Sequence, residues 1–234
     1  MRRALLTGVG REGQVGEAVA ARLAADGFEL ILVDHTAENV RARADAVRVA
    51  GGVASAYACD LGDPDAVSGT IRQITMDHGA RLDAVVHMAG GFAATGPVAD
   101  TPVPDWDRQL TINLRTAFLT ARATIPMLRT GGGSMVFFSS ESAIPGAKLS
   151  HISAYAVAKS GVISLAIAIS QEERGAGIRA NVLAPAAIRT ATNAASMGLE
   201  AKFVEREDVS AAVAYLCSDA SRGITGQVLR LSPR

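Results

Sequence analysis

Tyr155 and Lys159 stand four residues apart in Tyr155-Ala156-Val157-Ala158-Lys159, and on a helix that spacing puts both side chains on one face. An ammonium beside a phenol favours the phenolate. It would draw the tyrosine from its reference pKa of about 10 toward working pH and make it a usable general acid or base. Two surface neighbours have the same spacing, so the chemistry needs further support in the chain. One support is Thr7-Gly8-Val9-Gly10-Arg11-Glu12-Gly13-Gln14-Val15-Gly16, which joins a short apolar run to the amphipathic segment 17–23. Glycines let a backbone turn tightly and approach a pyrophosphate held at a helix N-terminus; a flexible turn has a similar composition. A second support is Asp34, which closes the run Leu30-Ile31-Leu32-Val33. There a carboxylate can accept hydrogen bonds from both adenosine ribose hydroxyls, although Asp34 or Thr36 could simply start the next helix.

Groups this far apart in sequence meet only if a fold brings strand ends together. Short apolar runs at 4–7, 29–33, 53–58, 84–88, 134–139, 178–183 and 227–231 alternate with helix-like stretches at 15–26, 37–50, 64–78, 106–128, 154–174 and 208–218. That alternation predicts a single α/β domain over residues 1–234, Rossmann-like and doubly wound, with seven mostly parallel strands flanked by helices. Glycine follows Asp26 and Arg174, where helices should stop. Asp60 and Leu61 follow the third strand, and His87-Met88-Ala89-Gly90 ends the fourth. The small Ala89 and Gly90 would permit close approach of an adenosine. His87 and Trp106 read as packing residues, and Lys148 and His151 as members of a solvated loop. Two stretches without clear periodicity, 91–104 and 186–202, follow strand ends and are expected to wall a substrate pocket.

Composition limits the alternatives. Hydrophobic residues make up 49% and charged residues 20%, with 23 basic against 23 acidic side chains, so no net field recruits a nucleic acid. No uninterrupted apolar run of bilayer length and no secretory leader is apparent, which implies neither a membrane partner nor export. Cys59 and Cys217 match no disulfide framework or metal-ligand spacing, and no metal is expected. A cytoplasmic location follows as an expectation.

The order of motifs resembles the short-chain dehydrogenase/reductase family over essentially the whole chain. Tyr155-x-x-x-Lys159 resembles its catalytic pair, Phe137-Phe138-Ser139-Ser140 its catalytic-serine segment, and Thr111-Ile112-Asn113-Leu114 its helix-borne asparagine. Asn181-Val182-Leu183-Ala184-Pro185 with Ile188 and Thr190 resembles the segment that holds the nicotinamide, and Thr225-Gly226-Gln227-Val228-Leu229 its last strand. The resemblance implies Asn113, Ser140, Tyr155 and Lys159 as catalytic residues. It implies Gly8, Gly10, Gly13, Val15, Asp34, Asp60, Leu61, Ala89, Gly90, Tyr155, Lys159, Pro185, Ile188 and Thr190 around the dinucleotide. Four departures stand out. The spacings of Gly8, Gly13 and Gly16 expand the family's glycine motif; His87-Met88 replaces an Asn-Asn pair; Ala186 replaces a glycine; and the separation of Ser140 from Tyr155 is long enough to bring in Ser142 as an alternative serine.

The expectation is therefore an NAD-dependent oxidoreductase acting on a small alcohol or ketone, with NADP the less favoured cofactor because of Asp34. Two alternatives are an NADPH-dependent ketoreductase of carrier-bound 3-oxoacyl groups, with Arg11 on the 2′-phosphate, and a dinucleotide sensor without turnover. A homo-oligomer, a tetramer by the resemblance, completes the set.

Overall fold

A computed structural model describes residues 1–198 and 200–233; Leu199, part of the expected pocket wall 186–202, lies outside the described residues. Seven strands form one sheet: β1 (Arg2–Thr7), β2 (Phe28–Asp34), β3 (Val53–Ala58), β4 (Ala84–His87), β5 (Gly133–Phe138), β6 (Ile178–Pro185) and β7 (Val228–Leu231). Their order is β3-β2-β1-β4-β5-β6-β7. Every pairing is parallel, so the expected mostly parallel sheet is wholly so. The strands carry apolar residues on both faces because helices cover both. Neighbouring residues alternate between two cores: Leu6, Leu32, Phe138 and Leu183 pack on one side, and Leu5, Ile31, Phe137 and Val182 on the other.

The first core is closed by α1 (Val15–Ala25), α2 (Ala37–Val49) and α8 (Arg206–Leu216). The second is closed by α3 (Pro64–His78), α5 (Thr116–Leu128) and α6 (Ser153–Glu172). By length and composition α6 would suit a membrane span, contrary to the expectation that no such stretch exists; 44% of its most apolar window is buried inside the domain, where it packs on β5 and β6.

The sequence predicts one helix over 106–128. The chain instead forms α4 (Val103–Leu110), a π-helical turn (Thr111–Arg115) and α5 in succession. A single widened turn of this kind re-aims one side chain, here Asn113. The 186–202 stretch also holds a helix that periodicity does not reveal, α7 (Ala191–Met197). It has seven residues and no buried ones, so it lacks the apolar stripe by which helices are recognised. Its ends follow local chemistry: Thr190 Oγ1 accepts from Asn193 N–H at 3.1 Å, and Gly198 at φ 84° stops it.

In an open parallel sheet the crevice forms where strand connections diverge to opposite sides, beyond the strand C-termini. Here that point lies between β1 and β4. The glycine loop after β1, the 88–91 segment after β4 and the serine segment after β5 are thereby brought together.

Candidate active site

Tyr155 and Lys159 lie in the first two turns of α6, on its sheet-facing side. Lys159 is 5% exposed. Its Nζ donates to Phe138 O, at the end of β5, at 2.9 Å, and lies 5.8 Å from the centroid of the Tyr155 ring. Ser139 Oγ donates to Lys159 O at 2.9 Å, a second tie between α6 and β5. Burial brings the lysine down to about 8. For Tyr155 the expected depression does not occur: burial raises the phenol pKa, and the hydrogen bond with Ser140 only partly offsets it. The physical reason is position, since the ammonium lies 5.8 Å from the ring centroid and bonds Phe138 O, while burial and Ser140, not a charge, act on the phenol.

Ser140 stands at the strand end, as its place in the sequence predicts. Its Oγ accepts from Ser142 N–H at 3.2 Å and from Ser142 Oγ–H at 3.0 Å. With both acceptor sites taken, the Ser140 proton is directed outward toward Tyr155 or a ligand. Ser142 therefore orients Ser140, and of the two serines it is Ser140 that hydrogen-bonds the phenol.

Asn113 is buried in the π-helical turn. Its Nδ2 donates to Gly91 O at 2.9 Å and to Gln109 O at 3.1 Å, and its Oδ1 accepts from Gly91 N–H at 3.1 Å. A Cβ on Gly90 would sit 2.6 Å from Asn113 Oδ1 and 3.1 Å from Lys159 Nζ. The asparagine and lysine thus flank one backbone atom that only glycine can supply. His87 is fully enclosed, sharing a 2.8 Å hydrogen bond with Thr7 and a 3.4 Å one with Thr116. Burial and the nearby Lys159 lower it to about 3, so it is a neutral tie between β1, β4 and α5. Phe92, which the sequence does not single out, meets the Tyr155 ring edge-on at 5.1 Å.

Phe92, Ser140, Ser142, Tyr155 and Lys159 line a cleft of about 710 Å3 that also includes Val15, Gly90, Pro185, Ile188, and Asn193 and Met197 of α7, while Asn113 and His87 lie behind it. Lys148 lines it too, whereas His151 has an exposed side chain at φ 66°. Gly8, Gly10, Gly13, Asp34 and Ala89 do not line it, nor do Asp60 and Leu61; Asp60 Oδ1 accepts from Gly62 N–H at 2.8 Å, and Leu61 belongs to the core under α3. Thr190 is turned to cap α7. Among the described residues no cluster of three or more His, Cys, Asp or Glu side chains could hold a metal.

A family model described as enoyl-(acyl carrier protein) reductase matches residues 8–232. A solved short-chain type dehydrogenase/reductase from Mycobacterium ulcerans superposes with a TM-score of 0.88 at 30% identity, covering 98% of this chain and 88% of that one. The chain belongs to the short-chain dehydrogenase/reductase family. It is 30% identical to D-threitol dehydrogenase of Mycolicibacterium smegmatis over 240 residues, 95% of this chain and 88% of the relative. An NAD+-bound xylitol dehydrogenase has a TM-score of 0.90 at 26% identity, covering all of this chain and 98% of that one. Among such relatives, this short-chain dehydrogenase/reductase is an oxidoreductase of the hydride-transfer type.

The residues present fit the family's dinucleotide. Among the described residues no side chain caps α1; Glu17 N–H turns back to Gln14 O at 3.3 Å, and the Val15 and Gly16 N–H groups ahead of it suit a pyrophosphate. Gly8 lies at φ 67°, and a Cβ there would stand 2.5 Å from the backbone of Ala89; one on Gly16 would collide with the Val9 carbonyl. Asp34 is 4% exposed at the tip of β2, and its carboxylate accepts from Gly10 N–H at 2.8 Å and Thr36 N–H at 3.2 Å. It therefore shapes the loop. The expanded motif has its own brace: Glu17 accepts from Gly13 N–H at 2.8 Å and pairs with Arg43 and Arg206. Burial alone would raise Glu17, but these donors hold it below the usual carboxylate range. Gly13 N–H is consequently committed within the chain.

Proposed function

We propose that the protein moves a hydride between NAD(H) and a small alcohol or carbonyl compound, with Tyr155 as the general acid or base. The observation that carries this reading is the convergence of Tyr155, Ser140 and Lys159 on one cleft beside the glycine loop and Asp34. When bound, the nicotinamide supplies the hydride chemistry; the chain supplies orientation and the proton. Ser140, with its acceptor sites filled by Ser142, can donate to a substrate oxygen as negative charge gathers there. Tyr155, its phenol held protonated by burial, is set to give a proton to that oxygen in carbonyl reduction. In alcohol oxidation the phenol oxygen must first release its own proton so that it can accept the substrate's. Lys159, at about 8, 5.8 Å from the Tyr155 ring centroid and next to Asn113 at Gly90, can pass that proton onward. Asp34 supports NAD over NADP. The apolar side chains of Phe92, Ile188 and Met197 on the cleft favour a substrate with a hydrocarbon body.

The test is absorbance at the reduced-nicotinamide band with a panel of alcohols and ketones, each with NAD and with NADP. Turnover should appear with NAD and fall about a hundredfold or more in Tyr155→Phe, with dinucleotide affinity nearly unchanged. Wild-type turnover retained by Tyr155→Phe would refute the assigned role.

A further inference from the structure

At the opposite end of the sheet, where the parallel strands begin, lies a second cleft of about 880 Å3. It opens between the segments leading into β4, β5, β6 and β7, shares no lining residue with the catalytic cleft, and has the size of a small-molecule pocket. Arg2, Arg81, Arg129, Arg174, Arg179 and Arg222 line it against two carboxylates, Asp83 and Asp219. In a chain of zero formal charge this is a marked concentration of one sign.

Part of that charge holds the fold together. Arg129 forks onto Glu173, and Arg81 onto Asp83 at 2.8 and 3.2 Å. Arg179 donates to the carbonyls of Leu216 and Ser218 at the end of α8, the usual place for a cation. Arg2 gives one N–H to Asp26 O at 3.3 Å and lies over the Phe28 ring, with no carboxylate partner among the described residues. Arg174 and Arg222 are exposed, and neither side chain has a partner among the described residues. Three guanidiniums thus remain without an ion-pair partner among the described residues, around one concavity in which Asp219 is the carboxylate not held by Arg81. Its floor adds a backbone donor: Gly131 and Gly133 give their N–H groups to Leu128 O and Gly177 O, whereas the Gly132 N–H between them makes no such bond.

Guanidinium forks match the oxygens of phosphate, and free backbone N–H groups beside them complete an anion-binding hollow. A lone carboxylate would satisfy one fork and leave two. From this we infer that the cleft binds a small anion bearing two or more phosphate groups, at a site separate from the catalytic one.

Titration calorimetry of the whole protein with sodium tripolyphosphate tests this, with and without saturating dinucleotide. The expected result is saturable 1:1 binding that survives the dinucleotide, weakens as salt is raised, and is not reproduced by sulfate at equal ionic strength. Arg174→Gln with Arg222→Gln, two exposed sites whose replacement should leave the thermal midpoint in place, should lower the affinity about tenfold or more. Absence of binding, binding unchanged in the double variant, or displacement by the dinucleotide would each overturn the inference. Tighter binding of a single-stranded oligonucleotide, lost in the same variant, would overturn it in favour of a nucleic-acid surface.

Discussion

The two central side chains have opposite fates on burial. Enclosure favours the neutral form of each, so the phenol of Tyr155 goes up and the ammonium of Lys159 comes down to about 8. The lysine's shift has a consequence for stability whose sign is definite. Between about 8 and its ordinary 10.5 the unfolded chain holds the proton and the folded chain does not, so stability rises with pH across that window. Below about 8 the folded state carries the full cost, about 3 kcal/mol. Lys159→Met removes that cost and loses the bond to Phe138 O, about 1 kcal/mol, at every pH. Denaturant unfolding should therefore show the variant gaining more over the wild type at neutral pH than near the top of the window. An equal difference at both pH values would mean that the lysine is not desolvated. Asp34 permits a second prediction at this scale. A carboxylate about 4 Å from a phosphate charge is disfavoured by about 1 kcal/mol in water and about 4 at an intermediate dielectric. Doubled for a dianion, even the lower figure exceeds the roughly 1.4 kcal/mol of a tenfold preference. Asp34→Ala and the nearly isosteric Asp34→Asn should both move the ratio of kcat/KM values toward NADP. Asn keeps one of the two oxygens that accept from Gly10 and Thr36, so a shift in Ala alone would trace to the loop and not to charge.

The elements carry the site by close backbone approach, and the glycine loop shows the cost of interfering. Gly8 combines a left-handed φ of 67° with a Cβ position 2.5 Å from Ala89, whereas Gly27 has φ 82° and nothing within 4 Å. Gly27→Ala should lose only the backbone preference, about 1 kcal/mol. Gly8→Ala should lose that and force β1 from β4, abolishing dinucleotide binding measured by quenching of Trp106 or by calorimetry. Equal thermal midpoints for the two variants would mean that the loop relaxes freely. The same contrast explains what could be read from the sequence. All seven strands were legible because a parallel sheet buried on both faces writes continuous apolar runs such as Leu30-Ile31-Leu32-Val33, and Tyr155, Lys159 and Ser140 were legible from their order at strand ends and on α6. The π-helical turn was not, because it is set by Asn113 clamping the Gly91 peptide, twenty-two residues distant. Helix α7 is not legible for want of a buried stripe, although Thr190, Asn193 and Gly198 form a start-and-stop signal. The Glu17 brace joins residues 17, 43 and 206, and the direction of the Tyr155 shift depends on burial; spacing encodes neither.

At the scale of the whole molecule, the two clefts open at opposite ends of the sheet, which leaves the helical flanks available for contact between copies. The flank built from α4, α5 and α6 carries large apolar side chains in solvent: Val103 is 69% exposed, and Phe118 and Val157 are each 48% exposed. On α5, Phe118, Arg122 and Pro126 follow one another at intervals of four along an exposed stripe, the pattern of a helix with a second apolar or mixed face awaiting a partner. A two-fold axis across this flank would set the stripe of one copy against the same stripe of another, because a closed dimer uses the same patch twice. A stable interface needs about 800 Å² from each copy, an area that helices of 13 and 20 residues can provide side by side. On this reading and the family resemblance we propose a homo-oligomer, a tetramer formed when a second, different two-fold contact joins two such dimers. Light scattering at micromolar concentration should return four times the 24.1 kDa chain mass. Phe118→Glu together with Val157→Glu, both on exposed positions where the fold makes no demand for an apolar group, should lower that mass to a dimer or monomer while the far-ultraviolet dichroism stays the same. A monomeric wild type would refute the assembly, and a tetramer indifferent to both substitutions would move the interface off this flank.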